Sequence, residues 1–357
     1  MSTKMLDAKE HKGLQPAFGL WGLYAPEKAP YRFQAQSRAE AEAWQAATRQ
    51  ALVETVGFQD LPAAELAPQK IEEVDRGDYL REKWLLQTWQ GALMPVYILL
   101  PKSAPRPLPV VLAFNGHGYG VKDIVGIWED GQERGVPDGY QKDFGVALCR
   151  RGFAVAAPEI ACFGERQSDF SYVNTTIGAE IPTSCNHTAR LAFTLGGSVV
   201  GLRVYDGKRL VDYLQTRPEL DTNRLGAMGI SGGGMHTFFS ACLDTRIKAC
   251  VISGYYCTFK DSILGVDHCM CNFVPGLAEF GEIHDLVGLI APRPALVEAG
   301  TYDEIFPIEA VKRSVRAACE RVYRLFGCED QFEADLFEGR HQISGRRAYD
   351  FLMEKLN

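Results

Sequence analysis

The sequence has no basic run, no long apolar stretch, no internal repeat and no low-complexity linker. A net charge of −7 over 357 residues argues against a nucleic-acid partner. No apolar segment reaches the roughly 18 residues that a membrane span requires. The first ten residues are polar and lack the apolar core of a signal peptide, so we expect a cytoplasmic protein without a membrane partner. The 46% hydrophobic and 23% charged residues are typical of a globular chain with an ample core.

The sequence also lacks a spacing of cysteines that would indicate disulfides. Its ten cysteines are scattered through helix-like and strand-like segments, which is typical of small buried residues in a reducing compartment. The segment His268-Cys269-Met270-Cys271 is the exception. A metal site would need a second ligand pair, and no C-x-x-C or H-x-x-x-H supplies one. We therefore interpret this segment as a structural turn and predict no metal.

The N-terminal part of the chain is predicted to be an extension of a larger domain. Residues 1–36 are expected to be irregular, with aromatic side chains that pack on the main body. Ser37 and Glu40 form a capping-box pattern for a helix that ends near Val56, before Gly57. We predict an extension over residues 1–75 that packs on a catalytic domain over residues 76–357.

Strands alternate with helices along the rest of the chain. Two strands around Gln90-Gly91 predict an antiparallel hairpin over residues 80–89 and 92–100. The later strands are expected at 109–114, 153–157, 224–230, 248–253, 295–299 and 333–337, and the helices at 143–151, 198–215, 235–243, 307–326 and 345–356. This alternation predicts an α/β protein with a doubly wound, mostly parallel sheet. Two long loops, 159–197 and 254–292, should overhang the carboxyl ends of its strands.

The segment Gly229-Ile230-Ser231-Gly232-Gly233 carries the first chemical signal. A strand-like run leads into it and a helix-like run follows it, which is the strand–turn–helix context of a G-x-S-x-G nucleophile elbow. Bulky residues at Gly229 and Gly233 would clash where strand and helix cross. The sequence therefore predicts Ser231 as a nucleophile at the N-terminus of a helix.

Two later loops supply the partners that a serine nucleophile needs. Asp303 lies between a buried strand and a helix begun by Pro307, and His341 directly follows the last strand. The chain order Ser231, Asp303, His341 matches a hydrolase triad, in which the histidine takes the serine proton and the acid orients the histidine. Glu304 is the neighbouring carboxylate and should point elsewhere. The remaining histidines, on the extension, on helices or between strands, do not fit this role: His11, His187, His236, His268 and His284.

The loop after the first parallel strand is expected to stabilise the negative charge that develops on the carbonyl oxygen of the substrate during the reaction. We predict the backbone N–H groups of His117 and Gly232 as the two oxyanion donors, with Tyr119 as the alternative to His117. Such a mechanism proceeds through an acyl-enzyme and requires no cofactor.

These motifs together resemble the α/β-hydrolase superfamily, in its dienelactone hydrolase and acetyl xylan esterase-like branch. The resemblance runs from about residue 75 to the end and rests on Asn115-Gly116-His117-Gly118, Gly164-Glu165-Arg166, the run from Met228 to Gly234, Ala291-Pro292-Arg293-Pro294 and the run from Gly300 to Pro307. It implies an α/β-hydrolase fold and a serine esterase. Asn115-Gly116 replaces the His-Gly of many relatives, and His341 follows Arg340 rather than glycine. Because the nucleophile is serine, the cysteine-dependent dienelactone hydrolase activity is not implied.

The residues that contact substrate are expected on the two long loops. Aromatic side chains there suit small acyl groups or a sugar face, and Gly164-Glu165-Arg166 would orient a polar substrate or pin its own loop through an Arg–Glu pair. The candidate substrate residues are Tyr119, Phe163, Glu165, Arg166 and Tyr255. Phe170, Tyr172, Tyr256, Phe259 and Phe273 are further aromatic residues of these loops.

The sequence favours a serine carboxylesterase that acts on small esters, including acetyl or carbohydrate esters. One alternative is a serine peptidase similar to prolyl oligopeptidases. A 75-residue extension is too short for the propeller domain of those enzymes, and no carboxylate pair for a substrate amine is evident. The other alternative is a non-catalytic binding protein on a hydrolase fold, which typically loses a triad member. The oligomeric state does not follow from the sequence.

Overall fold

A computed structural model describes residues 6–169 and 183–357. Across these residues, nine strands form one mixed sheet in the order β1-β2-β3-β5-β4-β6-β7-β8-β9. Their bounds are β1 Gln69–Asp75, β2 Tyr79–Trp89, β3 Ala92–Pro101, β4 Leu108–Phe114, β5 Ala154–Pro158, β6 Leu220–Ile230, β7 Ala249–Ser253, β8 Ala295–Gly300 and β9 Phe332–Phe337. The predicted fold class is confirmed.

The sheet is antiparallel at its N-terminal side and parallel elsewhere. β1, β2, β3 and β5 pair antiparallel in that order, and β5, β4, β6, β7, β8 and β9 pair parallel. The hairpin of β2 and β3 around Gln90-Gly91 is confirmed. β1 was not predicted, because this edge strand is largely exposed and carries mostly charged residues rather than an apolar alternation.

The helices are α1 Pro16–Leu23, α2 Arg38–Val56, α3 Phe144–Cys149, α4 Ser184–Thr194, α5 Val199–Leu214, α6 Gly232–Leu243, α7 Ile283–Leu286, α8 Ile308–Ala317, α9 Arg324–Phe326 and α10 Ala348–Leu356. A π-helical turn over Ala318–Tyr323 joins α8 to α9, so the single helix predicted here is continuous but not purely α. α1 and α4 fall in segments that were predicted to lack helices. Phe170 and Tyr172 lie outside the described residues.

The core covers both faces of the sheet. Along β4, Val110, Leu112 and Phe114 pack into one hydrophobic cluster while Val111 and Ala113 pack into another. Because successive side chains of a strand point to opposite faces, a continuous apolar run marks a strand that is buried on both sides.

Helix α2 ties the N-terminal part of the chain to this body. Ser37 Oγ accepts a hydrogen bond from the Glu40 N–H at 3.3 Å, which confirms the serine half of the predicted capping box, but the Glu40 carboxylate accepts the Gln36 N–H at 2.8 Å instead of that of Ser37. Leu52 and Val56 are fully buried in the core.

Before the helix, Phe33 is buried, but Phe18 and Trp21 are 53% and 43% exposed, so the expected packing of the first aromatic residues is wrong for α1. The division at residue 75 stays a prediction.

No helix within residues 6–169 and 183–357 is both long and apolar enough to cross a bilayer.

Candidate active site

Ser231 lies between the end of β6 and the first residue of α6. Its φ of 58° and ψ of −121° place a non-glycine residue in the sparsely populated positive-φ region. The turn is held by hydrogen bonds from the Ser231 N–H to the Ser253 carbonyl at 3.0 Å and from the Met235 N–H to the Ser231 carbonyl at 2.9 Å. Strain that the surrounding structure enforces in this way is a common property of functional sites.

The glycines on either side of Ser231 are required by close packing. A Cβ at Gly229 would overlap the carbonyl of Gly233, and a Cβ at Gly233 would overlap the carbonyl of Phe114. Both contacts are to backbone atoms, which cannot turn away as a flexible side chain could. The predicted clash at these two positions is therefore confirmed.

Asp303 and His341 form a hydrogen-bonded pair at the ends of β8 and β9. His341 Nδ1 lies 2.7 Å from Asp303 Oδ2. The other oxygen, Oδ1, accepts hydrogen bonds from the backbone N–H groups of Ile305 at 2.8 Å and Phe306 at 3.1 Å. The carboxylate is thereby fixed, and it directs the imidazole so that Nε2 is the free nitrogen. This buried Nε2 makes no hydrogen bond within the described part of the chain.

The imidazole of His341 lies between two aromatic rings. Tyr140 stacks on it with ring centroids 5.5 Å apart and an angle of 26°, and Phe306 stacks with centroids 5.7 Å apart and an angle of 20°. These rings restrict the rotation of the imidazole. Neither residue was predicted from the sequence, because Tyr140 lies in an irregular segment and Phe306 looks like an ordinary core residue.

Ser231 and His341 line one cavity of about 440 Å³. The other lining residues are His117, Tyr140, Val266, Asp267, His268, Cys269, Glu304 and Ile305. His268 therefore reaches the site, although its place in a loop argued against a role. Burial lowers the pKa of His268, and its Nδ1 faces the amide of Asn272 at 3.5 Å rather than a carboxylate. Glu304 lies at the rim with its side chain 85% exposed, away from the imidazole as expected.

The loop that carries His117 lies directly against Ser231. A Cβ at Gly116 would be 3.2 Å from the Cβ of Ser231. The Tyr140 hydroxyl donates a hydrogen bond to the His117 carbonyl at 2.6 Å, and the Gln141 side-chain oxygen accepts one from the Gly116 N–H at 2.7 Å. Burial raises the pKa of Tyr140, which keeps its hydroxyl protonated as a donor.

A buried polar network supports this loop from behind. Gln141 Nε2 donates to Asp123 at 2.7 Å, Asp123 pairs with Arg134 at 3.0 Å, and Arg134 also pairs with Asp143. The Arg134 and Asp143 side chains are almost fully buried. Sequence reasoning missed this network because its members are dispersed over residues 123–143, which show no helix or strand periodicity.

The five predicted substrate residues do not lie together in the structure, and only Phe163 lines a cavity at the site. Phe163 lies beside His117, with ring centroids 5.1 Å apart in an edge-to-face arrangement, and it lines a second cavity next to the first. Tyr119 is turned away, because its hydroxyl donates to the Ile127 carbonyl and accepts from Arg134. Tyr255 is buried in the core against Phe306 and lines neither cavity.

The expected Arg–Glu pair within Gly164-Glu165-Arg166 is wrong. Glu165 pairs with Lys83 at 2.8 Å, and Arg166 pairs with Asp206 at 2.7 Å. Both residues are engaged in fixing this loop to other elements, and neither lines the two cavities. The loop is pinned, as one interpretation expected, but by partners distant in sequence.

The interpretation of His268-Cys269-Met270-Cys271 as a turn without further ligands is corrected by the fold. Cys269 and Cys271 lie next to Cys185 of α4 and His117 of the loop after β4, and one potential ligand atom from each of the four lies within 4.8 Å of the others. The second pair comes from two distant positions, which no local spacing could have indicated.

Comparison with known proteins agrees with the fold. A model described as an Abhydrolase family matches residues 25–335, and the chain belongs to this family. The chain is therefore a member of the α/β-hydrolase superfamily, and the resemblance to that superfamily is confirmed.

Individual relatives are similar at lower identity. "Putative hydrolase YtaP" of Bacillus subtilis (strain 168) is 29% identical over 254 residues, which cover 68% of this chain and 76% of that protein. A crystal structure titled as a "putative acetyl xylan esterase" from Bacteroides fragilis NCTC 9343 superimposes with a TM-score of 0.73 at 20% identity, covering 91% of this chain and 82% of that one. A glucuronoyl esterase from Solibacter usitatus superimposes with a TM-score of 0.63 at 15% identity, covering 93% and 100%.

Proposed function

We propose that the protein is a serine carboxylesterase that hydrolyses small esters through an acyl-enzyme. The 2.7 Å contact between Asp303 and His341 carries the proposal, because it orients an imidazole that lines the same cavity as Ser231 and whose Nε2 has no hydrogen-bond partner in the described residues. An oriented base beside a serine on a strained strand–helix turn is the arrangement that activates a hydroxyl for nucleophilic attack. The family match supports a hydrolase.

In this mechanism His341 Nε2 accepts the proton of the Ser231 hydroxyl as its oxygen attacks the ester carbonyl. Asp303 stabilises the imidazolium that forms and holds its tautomer. The imidazolium then gives its proton to the departing alcohol, which leaves an acyl group on Ser231. Water, deprotonated by the same imidazole, attacks this acyl group and regenerates the serine.

The negative charge on the tetrahedral oxygen needs donors that are already in place. We assign this role to the backbone N–H groups of His117 and Gly232, since the loop of His117 lies against Ser231 and Gly232 begins α6. The partial positive charge of a helix N-terminus adds to this stabilisation. Loss of one such donor typically costs about 3–4 kcal/mol of transition-state stabilisation.

The substrate class is proposed from the cavity and from the related structures. A volume of about 440 Å³ is sufficient for a short acyl group with part of its alcohol. Two proteins of similar fold are described as a "putative acetyl xylan esterase" and a glucuronoyl esterase. Small acetyl or carbohydrate esters are therefore the first substrates to test.

One observation favours a second candidate, a serine peptidase. Asp267 and Glu304 both line the cavity of Ser231, and carboxylates within reach of the substrate are what a substrate amino group would require. Cleavage of aminoacyl-arylamides in preference to acyl esters would support this function instead of the esterase.

The test is hydrolysis of p-nitrophenyl esters from acetate to octanoate by wild type and Ser231→Ala. Ser103→Ala, at an exposed position, is the matched control. We expect wild type and the control to cleave short esters, while Ser231→Ala loses on the order of a millionfold in turnover. Equal activity of wild type and Ser231→Ala, or no activity of wild type on any ester, would contradict the proposal.

A further inference from the structure

Four potential metal ligands come together beside the proposed active site. They are His117 after β4, Cys185 in α4, and Cys269 and Cys271 in the loop after β7, and their ligand atoms all lie within 4.8 Å of one another. His117 Nε2 is 3.5 Å from Cys271 Sγ. Cys185 and Cys271 are buried, and His117 and Cys269 are half-buried. Three segments that are distant in sequence thus bring together three soft ligands, the cysteine thiols, and one borderline ligand, the histidine imidazole.

These spacings fit a tetrahedral ion. With Zn–S bonds of about 2.3 Å and Zn–N bonds of about 2.0 Å, the ligand atoms of a tetrahedral site lie about 3.5–3.8 Å apart. The 3.5 Å distance between His117 Nε2 and Cys271 Sγ already matches one edge of that tetrahedron. The limit of 4.8 Å on the other pairs leaves movements of about one ångström or less to close the site.

A buried cation that pairs with no carboxylate in the described part of the chain lies next to this cluster. Arg203 is fully buried, and its one hydrogen bond in the described residues runs from Nη2 to the Ala161 carbonyl at 3.0 Å. Its Nε and Nη1 have no partner there. Its guanidinium lies over the ring of Phe163, 5.4 Å from the centroid, and that ring packs edge-to-face on His117. A buried charge without an anionic partner is costly, so a negatively charged group bound at this cluster would be stabilised by the arginine.

We propose that His117, Cys185, Cys269 and Cys271 form a four-coordinate zinc site. On binding, the three thiols release their protons to solvent and bind as thiolates, while neutral His117 binds through the lone pair of Nε2. A zinc ion with three thiolates and one imidazole carries a net charge of −1, which the guanidinium of Arg203 balances. Thiolate-rich tetrahedral sites select Zn²⁺ over harder divalent cations.

The site has a structural role because all four positions of the ion are filled by protein ligands. It fastens α4 and the loop of Cys269 to the loop of His117. A Cβ at Gly232 would lie 3.1 Å from Cε1 and Nδ1 of His117, so the side of the imidazole away from the thiols packs against the start of α6. The assignment of the metal does not depend on the proposed esterase activity.

The test is metal analysis of the full chain, produced in zinc-supplemented medium and purified without an immobilised-metal column. We expect about one zinc ion per chain, loss of this zinc in Cys269→Ala/Cys271→Ala, and its retention in Cys271→His, which keeps a ligand. Cys149→Ala is the matched control, because Cys149 on α3 is a thiol buried like that of Cys271. Zinc removal by a strong chelator should lower the melting temperature of wild type and leave that of the double variant unchanged.

Cobalt substitution of wild type tests for the metal site even if the double variant fails to fold. Tetrahedral Co²⁺ bound to thiolates should give intense visible bands and a sulfur-to-metal charge-transfer band, both abolished by excess Zn²⁺. Folded wild type that holds neither zinc nor cobalt in stoichiometric amount would overturn the proposal. Equal zinc in wild type and a folded double variant would also overturn it, since the ion would then be bound elsewhere.

Discussion

Asp303 uses its two carboxylate oxygens for two different tasks. Oδ1 accepts the N–H groups that begin the turn before α8, and Oδ2 holds His341 Nδ1 at 2.7 Å. One residue therefore fixes both the backbone of its own loop and the tautomer of the imidazole. Glu304, the next residue, has neither contact, and its nearest charged partner is Arg340 at 3.9 Å.

Asp303→Asn tests the second task while leaving the first largely intact. The amide oxygen can still accept the two backbone N–H groups, but its NH₂ group would face His341 Nδ1 and favour the tautomer with the proton on Nε2. We expect turnover on a short ester to fall about 10⁴-fold with an unchanged melting temperature. Glu304→Gln is the control and should stay near wild type. A similar loss in both variants would argue against Asp303 as the orienting acid.

Tyr140 positions two parts of the site at once. Its ring stacks on His341, and its hydroxyl donates to the His117 carbonyl at 2.6 Å. Tyr140→Phe keeps the ring and removes the hydrogen bond, so the loop of the proposed oxyanion donor loses one anchor.

A hydrogen bond of this kind contributes about 0.5–1.5 kcal/mol, so we expect kcat of Tyr140→Phe to fall roughly 2- to 12-fold with little change in KM. Tyr302→Phe, at a position that is 60% exposed, is the control. A purely structural role for Tyr140 would lower the melting temperature without lowering kcat of the folded enzyme.

At the scale of elements, Glu159 joins two loops at the end of β5. Its Oε1 accepts the Val121 N–H at 3.0 Å, and its Oε2 accepts the Glu165 N–H at 3.4 Å. Burial outweighs these bonds and raises the pKa of Glu159 to about 7. The carboxyl group is therefore protonated in the folded protein at pH values where it ionises in the unfolded chain.

This raised pKa gives a prediction of defined sign. Below about pH 4.5 the group is protonated in both states, and between about 4.5 and 7 the folded state holds the extra proton. The stability of wild type relative to Glu159→Gln should therefore fall as pH rises through this window, by up to about 1.4 kcal/mol per pH unit, and then level off. Urea unfolding at several pH values measures it, with Glu65→Gln, at an exposed position, as control. A difference that is constant or rises with pH would contradict the shift.

The elements that the sequence predicted well are those with a clear apolar run or with clear residues at their ends. β4 reads as a continuous apolar run and α2 has a serine cap and a glycine stop, and the structure places both within about one residue of the prediction. β1 and α1 lack such a pattern because both are largely exposed. α4 was hidden because its buried positions are few, namely Cys185, Ala189 and Ala192, inside a segment expected to be a loop.

The residues of the candidate site also fall into two groups, those that the sequence could predict and those that it could not. Ser231, Asp303 and His341 each follow a strand, so the chain order and the strand ends were sufficient to select them before the structure brought Asp303 and His341 into contact. The roles of the three stay predictions. The supporting residues could not be found in this way, because Tyr140 and the ligand group around Cys185 depend on contacts between segments that no local pattern connects.

At the scale of the whole molecule, α2 joins the N-terminal segment to the elements that carry the site. Arg49 donates to the Cys242 carbonyl of α6 at 3.0 Å and to the Leu289 carbonyl at 2.9 Å. Leu289 lies in a short helical turn after α7, so one guanidinium ties together three segments. α6 is also the helix that begins at the proposed nucleophile.

Arg49→Ala should therefore destabilise the whole fold. The Cys242 carbonyl loses its guanidinium donor, whereas the Leu289 carbonyl keeps a hydrogen bond from Arg293 Nη2 at 3.0 Å. We expect a loss of about 1.5–3 kcal/mol in the free energy of unfolding. Arg38→Ala on the exposed side of the same helix is the control, since exposed ion pairs contribute about 0–1 kcal/mol. Urea denaturation measures both. Equal stability of the two variants would show that α2 is not fastened by Arg49.

The central claim is that Ser231 is the nucleophile, and covalent trapping tests it most directly. Wild type is incubated with a fluorophosphonate and the modified peptide is sequenced by mass spectrometry, with Ser231→Ala and Asp303→Asn in parallel. We expect one adduct on Ser231 in wild type, a much slower reaction in Asp303→Asn and none in Ser231→Ala. An enzyme that hydrolyses esters yet carries its adduct on another residue, or reacts equally fast without Ser231, would contradict it.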